Sequence, residues 1–443
     1  MKPYDYQEEL AREALKIIKS YGLVYLGMEE RTGKTLTAIR LVELSKANRC
    51  LILTKKRALM GENEKTFENA TKGWAGTLNA YIGGFDGDRT WNKGDKFYTL
   101  VHYQGLYKQY KKEKRIKGKL EKFTTQELKS EFKDAKFDVV ILDESHAFLS
   151  AYPKLGVIAK LTQQITYDKP IILSSATPNA QSYAQLFHQF NMSKYSPFDS
   201  FPNFYKWFNK YGIPEVVYTG HGQAIKYDKV KDEVWQMVKH LFITKTRKEL
   251  GFKHEPEDII HWVKLSEDTL NLYDECEATE MLEVDGEEVP LDSSMKLRTT
   301  LHQIESGVYK KVDGSSGLLK NAEKIEAILR DFGDTKDLVI MYHYQAELIK
   351  LQKYFKNALL LQGTSYAEGV DLSDYQHLVI LSQDFSTAKH SQRRARQANK
   401  NRNSSIKVHF YLVKGAISEQ VYTTVSVNKK NFIDKMYHRR NKQ

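Results

Sequence analysis

The sequence predicts an α/β protein: two parallel-sheet domains in tandem, with a mainly helical insertion between them. Three observations carry this. Residues 24–40 start apolar, pass through a tight loop from Gly27 to Thr35, and continue as an amphipathic helix. Residues 137–142 form an unbroken apolar run that delivers Asp143-Glu144-Ser145-His146. A second alternation of apolar runs and amphipathic helices recurs over residues 320–413. Strands alternating with helices give parallel sheets covered by helices. The expected boundaries are 1–190, 191–260 and 261–443.

Bulk properties narrow the function. With 443 residues, 41% of them hydrophobic, the chain can build sizeable cores in two or three domains. A net charge of +12 favours a polyanionic partner such as nucleic acid. The many aromatic residues suit base stacking, although most must serve the cores. Cys50 and Cys276 are far apart in sequence, which excludes a disulfide framework and a cysteine zinc site and fits a reducing compartment. No run approaches a membrane span, and the first residues lack an apolar signal core, so a cytoplasmic chain without a membrane partner is expected.

Tyr4-Asp5-Tyr6-Gln7 opens a helix reaching about Lys19. The Gln7 amide suits an adenine edge; an ordinary amphipathic helix start is the alternative. In the loop that follows, Gly33 lets backbone N–H groups close on phosphate oxygens, Lys34 reaches the outer phosphates, and the Thr35 hydroxyl suits magnesium. The next helix adds the positive end of its dipole. One departure is Met28, which stands where the usual phosphate-loop pattern has its first glycine. Residues 49–54 read as a buried strand ending in Lys55-Lys56-Arg57, which suit a phosphate backbone or a solvated loop. Residues 78–82 and 97–103 read as further strands, the latter followed by Gln104. The lysine-rich run at 108–133 reads as a solvated surface helix, with a DNA-facing insertion as the alternative. After the strand at 137–142, Asp143 suits magnesium held through water and Glu144 suits activation of an attacking water. Residues 170–173 form another strand, ending in Ser174-Ser175-Ala176-Thr177-Pro178, whose hydroxyls suit the acidic loop beside them.

The middle of the chain, residues 190–248, is aromatic-rich and reads as mainly helical. Hairpins are expected around Gly220-His221-Gly222 and around Asp285-Gly286, as plain connections rather than strand-separating wedges. Strands are then expected at 337–342, 358–361, 377–382 and 406–413, with a helix at 320–329.

The ordered set Tyr4-x-Tyr6-Gln7, Thr32-Gly33-Lys34-Thr35, Asp143-Glu144-Ser145-His146 and Ser175-Ala176-Thr177-Pro178 resembles motifs Q, I, II and III of superfamily 2 helicases and translocases. It is most similar to the phage-encoded members related to the Swi/Snf ATPases. The resemblance covers most of the chain, from Tyr4 to about Val427, and implies two RecA-like domains. It implies ATP and Mg2+ as cofactors, with Gln7, Arg31, Thr32, Gly33, Lys34 and Thr35 on the nucleotide. Thr35 and Asp143 would hold the metal, Lys34 and Glu144 would act in catalysis, and His146, Ser175, Ala176 and Thr177 would couple hydrolysis to movement. Tyr366 to Leu372 resembles motif V, giving Gly369 and Asp371 to the nucleotide. Residues 391–399 resemble motif VI, giving Gln392, Arg393 and Arg396 to catalysis. Asn399 replaces that motif's second arginine, so Arg396, Arg393 and Arg402 all remain candidates for the finger. Lys55, Lys56, Tyr103, Gln104, Arg247, Thr364 and Ser365 are implied nucleic-acid contacts. The implied activity is ATP-dependent DNA unwinding or translocation by a monomer on single-stranded, forked or branched DNA, in phage replication, recombination or repair in the host cytoplasm. A duplex translocase, an RNA helicase and a DNA-binding scaffold with a decayed ATPase site are the alternatives. No nuclease constellation stands out.

Overall fold

The computed structural model describes residues 1–60, 64–116, 119–179, 182–219, 222–363 and 372–428. The chain forms two compact units, Met1–Leu250 and Gly251–Gln443.

The first unit opens with helix α1 (Asp5–Tyr21), strand β1 (Leu23–Leu26), helix α2 (Lys34–Leu44), strand β2 (Arg49–Thr54) and helix α3 (Gly73–Tyr81). Strands β3 (Thr90–Lys93), β4 (Lys96–His102), β5 (Tyr107–Ile116), β6 (Lys119–Leu128), β7 (Val139–Asp143), β8 (Ile171–Ser174), β9 (Glu215–Thr219), β10 (Gly222–Lys226) and β11 (Phe242–Ile243) follow. Among the described residues the main sheet has the order β11-β1-β8-β7-β2-β4-β3. Its pairs are parallel except β3–β4. Every residue of β1, β7 and β8 is buried, as continuous apolar runs require when both faces of a sheet are covered. Leu26 and Asp143 both register with Ser174, so the loops leaving β1, β7 and β8 start side by side at one edge.

Three expectations change here. Residues 78–82 form no strand; residues 78–81 are the last turn of α3, because a short apolar run is equally compatible with a buried helix. The lysine-rich run is mostly strand, with a helix only at Ser130–Lys133 among the described residues: β5 and β6 pair antiparallel over ten residues each, from Tyr107↔Leu128 to Ile116↔Lys119. Paired β-branched and aromatic residues such as Tyr110↔Thr125 favour the ribbon over the helical propensity of the lysines. The expected insertion at 191–260 is divided: its residues up to Leu250 fall in the first compact unit and the rest in the second. Phe190, Phe198, Phe204, Trp207, Val238 and Phe242 share one core with Leu23, Tyr25 and Leu173 of the main sheet. Tyr25 and Phe242 stack at 4.6 Å between ring centroids. The β9–β10 hairpin forms as expected, with Gly220 and His221 outside the described residues.

The second unit contains β12 (Pro256–Val263), β13 (Met281–Val284), β14 (Glu287–Pro290), β15 (Val308–Lys310), β16 (Ser316–Leu318), β17 (Leu338–Tyr342), β18 (Leu359–Gln362), β19 (His377–Ile380) and β20 (Ile406–Val413). Its main sheet, in the order β12-β20-β19-β17-β18, is parallel throughout the described pairs. Asp285 and Gly286 both have positive φ between β13 and β14, the turn that matches the strand twist. Beneath this sheet, Lys324 Nζ donates to Glu305 Oε2 at 2.7 Å with both side chains fully buried. Both parallel sheets expected from the sequence form, and β11 and β12, at one edge of each, were not among the expected strands. Cys50 and Cys276 are buried free thiols. Among the described residues, no helix is long and apolar enough to cross a membrane.

Candidate nucleotide site

The loop between β1 and α2 is shaped by its own hydrogen bonds. Gly27 N–H donates to Ile243 O at 2.9 Å and Glu29 N–H donates to Lys245 O at 3.0 Å, tying the loop base to the segment after β11. Met28 is fully buried. Left-handed backbone falls instead at Arg31 (φ 68) and Gly33 (φ 79). Met28 thus occupies the usual glycine position as a core contact, in a conformation any residue adopts. Thr32 is also buried, and its hydroxyl donates to Glu29 O at 2.7 Å. Lys34 Nζ donates to Met28 O at 3.0 Å and Glu29 O at 2.8 Å, which places the ammonium in the crook of the loop. An ammonium binds anionic oxygens more strongly than carbonyls, so this lysine can exchange those carbonyls for phosphate. Thr35, half-buried, follows in the first turn of α2.

Helix α1 is tethered to the same loop. Tyr6 OH donates to Thr32 O at 3.1 Å, and Gln7 Nε2 donates to Gly33 O at 3.2 Å. Gln7 Oε1 accepts from Tyr4 N–H at 2.9 Å. Gln7, expected at an adenine edge, is therefore buried with both ends of its amide engaged. Burial, reinforced by neighbouring Tyr4, pushes the Tyr6 hydroxyl up to about 12. A Cβ on Gly33 would lie 2.1 Å from Gln7 Nε2, so this position excludes a side chain by space as well as by φ.

Asp143 ends β7 and is held from two sides. Thr54 Oγ1 and Trp74 Nε1 each donate to its Oδ2 at 2.7 Å, and Tyr103 OH donates to its backbone carbonyl at 3.0 Å. Its Oδ1 takes no hydrogen bond among the described residues. One carboxylate oxygen is thus fixed and the other open, the arrangement a water-bridged divalent cation needs. Glu144 has φ 48, which turns the chain sharply off the strand. Its Oε2 lies 3.3 Å from His146 Nδ1, which in turn lies 2.8 Å from Ser175 Oγ. The Ser175 hydroxyl also accepts from Thr177 N–H at 3.0 Å, and Ala176 between them is half-buried. The acidic loop and the Ser-Ala-Thr loop are in this way joined through His146. A buried second link lies below: Tyr25 OH and Ser145 Oγ, 2.8 Å apart, both donate to Gln189 Oε1, and Gln189 Nε2 donates to Pro178 O at 2.7 Å. Burial holds the Tyr25 hydroxyl well above its usual range.

The expected nucleic-acid contacts divide. Lys55 is half-buried and Lys56 exposed where β2 runs into a short turn, and Gln104 is exposed just past β4. Tyr103, by contrast, is fully buried and stacks on Phe148 at 4.6 Å, so its ring supports the Asp143 loop from inside. Arg247 is nearly buried and directed at the phosphate loop, not at solvent. Thr364, Ser365, Gly369 and Asp371 lie outside the described residues.

In the second unit, the helix Thr387–Arg394 and the turn Ala395–Gln397 carry Arg393 and Arg396, and Arg402 follows them. Arg393 is buried, with NH2 3.4 Å from Asp384 Oδ2 and NH1 3.5 Å from Ser382 O; burial pulls its pKa below the usual range against the pull of Asp384. Arg402 NH1 donates to Ser373 O at 2.8 Å. Both therefore act as braces of their own unit. Arg396 is nearly buried, its Nε donating to Gln392 O at 3.1 Å. The buried Gln392 amide makes no hydrogen bond among the described residues.

Residues 1–180 match the family model described as "Type III restriction enzyme, res subunit". No curated protein matches the chain. Among solved structures, it is similar to the Sulfolobus solfataricus SWI2/SNF2 ATPase core in complex with dsDNA, at 13% identity and a TM-score of 0.40, over 96% of this chain and 92% of that one. The Sulfolobus solfataricus SWI2/SNF2 ATPase core domain gives 13% identity and a TM-score of 0.41, over 98% and 92%.

Several participants escape the sequence. Thr54, Trp74 and Gln189 reach the site from other strands and helices, and no local pattern marks them. Tyr6 stood in the Tyr-x-Tyr-Gln string, but its bond to Thr32 O depends on how α1 docks.

Proposed function

We propose that this chain is an ATP-driven DNA motor that unwinds or translocates on forked or branched DNA. The observation that carries the reading is Asp143, anchored through one oxygen and open at the other, beside a loop whose lysine sits in its crook. The family match over residues 1–180 supports the same unit. Bound magnesium supplies neutralisation of the phosphate charge. Thr35 and Asp143 Oδ1 are the groups that would hold it. Lys34 binds the outer phosphates, and Glu144 orients water and takes its proton. Arg396, Arg393 and Arg402 are all held by bonds within their own unit and remain the candidates to stabilise the transferring phosphoryl group. His146 carries the state of Glu144 to Ser175 and Thr177. Lys55, Lys56 and Gln104, at strand ends on the same sheet edge, contact the nucleic-acid backbone with little base preference.

The test is ATP hydrolysis and unwinding with tailed single strands, forks, four-way junctions, triplexes and RNA duplexes. Lys34→Ala should lower DNA-stimulated turnover at least about 100-fold, equivalent to about 2.7 kcal/mol of transition-state stabilisation, while DNA binding stays measurable. Ordinary turnover in that variant would refute the assignment. Activity confined to RNA or to triplex displacement would redirect the substrate.

A further inference from the structure

The crown of the phosphate loop carries two carboxylates, Glu29 and Glu30, on a loop meant to meet a polyanion. Unbalanced, they would repel a triphosphate. Arg247, far away in sequence, lies against both. Its backbone N–H donates to Glu29 Oε2 at 2.7 Å. Its NH1 lies 3.3 Å from Glu30 O and 3.5 Å from Glu30 Oε2, and its Nε lies 3.8 Å from Glu29 Oε2. Arg247 and Glu30 are both nearly buried, with 10% and 11% of their side chains exposed, so solvent screens the pair weakly. The backbone delivers Arg247 here by construction: β11 pairs with β1, and Lys245 O accepts from Glu29 N–H two residues before Arg247.

We infer that Arg247 is a positioning residue of the nucleotide site. It neutralises the glutamates of the phosphate loop and holds the loop in its triphosphate-accepting shape. The inference rests on the nucleotide reading above. It also moves Arg247 from the nucleic-acid contacts to the ATP site. A guanidinium suits the task better than an ammonium because its planar fork engages a carbonyl and two carboxylates at once.

The experiment is a double-mutant cycle read by fluorescent ATP-analogue binding and by steady-state ATPase kinetics. Arg247→Ala should weaken nucleotide binding and raise the ATP KM about tenfold, with a smaller fall in kcat. Arg247→Lys should recover part of that loss. In an E29Q/E30Q background, which removes the repulsion while keeping the loop's length and shape, Arg247→Ala should have little further effect. A packing role alone would give the same penalty in both backgrounds, and that result overturns the inference. So does an unchanged KM in Arg247→Ala when the unsubstituted protein binds the analogue. Absence of analogue binding by the unsubstituted protein would overturn the nucleotide reading itself.

Discussion

Gly33 shows how much one residue must satisfy. Its φ of 79 is strained for any L side chain, and Gln7 Nε2 fills the space a Cβ would take. Gly33→Ala should cost about 1–3 kcal/mol, lower the melting temperature by several degrees, and weaken ATP-analogue binding. Adding Gln7→Ala should relieve the crowding but not the backbone strain, leaving the pair below the unsubstituted protein in a thermal melt; a melt equal to that of the unsubstituted protein would refute the account. Gly33, Lys34, Thr35, Asp143 and Glu144 stand out as candidates in the sequence because the chemistry expected of them depends on neighbours in sequence. Trp74 on Asp143 and Arg247 on Glu29 do not, because each pairing is made by sheet order. Tyr103 misled for a related reason. A tyrosine at a strand end looks available, and only the packing of Phe148 over it shows that it is not.

The β5–β6 ribbon is the element that departs most from its sequence reading. Between Tyr107 and Leu128 it carries eight lysines and arginines against three glutamates. Such a run has helical propensity, and a period-two pattern is hard to see when both faces are polar. Lysines along an unpaired strand edge also discourage strand-to-strand aggregation, which is reason enough for some of them. The ribbon leaves the sheet just past β4, near exposed Gln104, and Lys108, Tyr110 and Lys111 are exposed on it. Under the DNA-motor reading, replacing Lys108, Lys111, Lys112 and Lys114 by Ala should reduce the slope of log affinity against log salt by up to about 3–4, with weaker DNA binding at low salt. An unchanged slope would assign these lysines to solubility alone. Apart from the run at 78–82, the expected apolar strands were placed to within a residue or two because buried parallel strands leave long apolar runs.

At the scale of the molecule, the second unit holds several buried or half-buried histidines. Burial lowers His302 and His343 below their usual range, His390 to about 3 and His409 to about 4. The unfolded chain takes up these protons near pH 6.5, whereas the folded chain resists them. Stability is therefore unaffected by these groups above about pH 6.5 and falls as pH drops from there towards 4, by about 1.4 kcal/mol per pH unit for each fully buried histidine. The urea midpoint should decline steeply between pH 7 and 4.5, and a flat profile would refute it. The division into units was only half legible: two parallel sheets follow from alternating patterns, but the loyalty of the aromatic segment to the first sheet rests on where Phe242 docks. That docking also sets an order of events during synthesis. Strand β1 is made early, but its outer partner β11 is more than 200 residues later. At about 5–20 residues per second, a ribosome leaves the strand that bears the phosphate loop with an open edge for roughly 10–40 s. A nascent chain that already carries all the recognisable motifs of the first unit is still an unfinished and adhesive sheet, and co-translational chaperones should matter most in that interval.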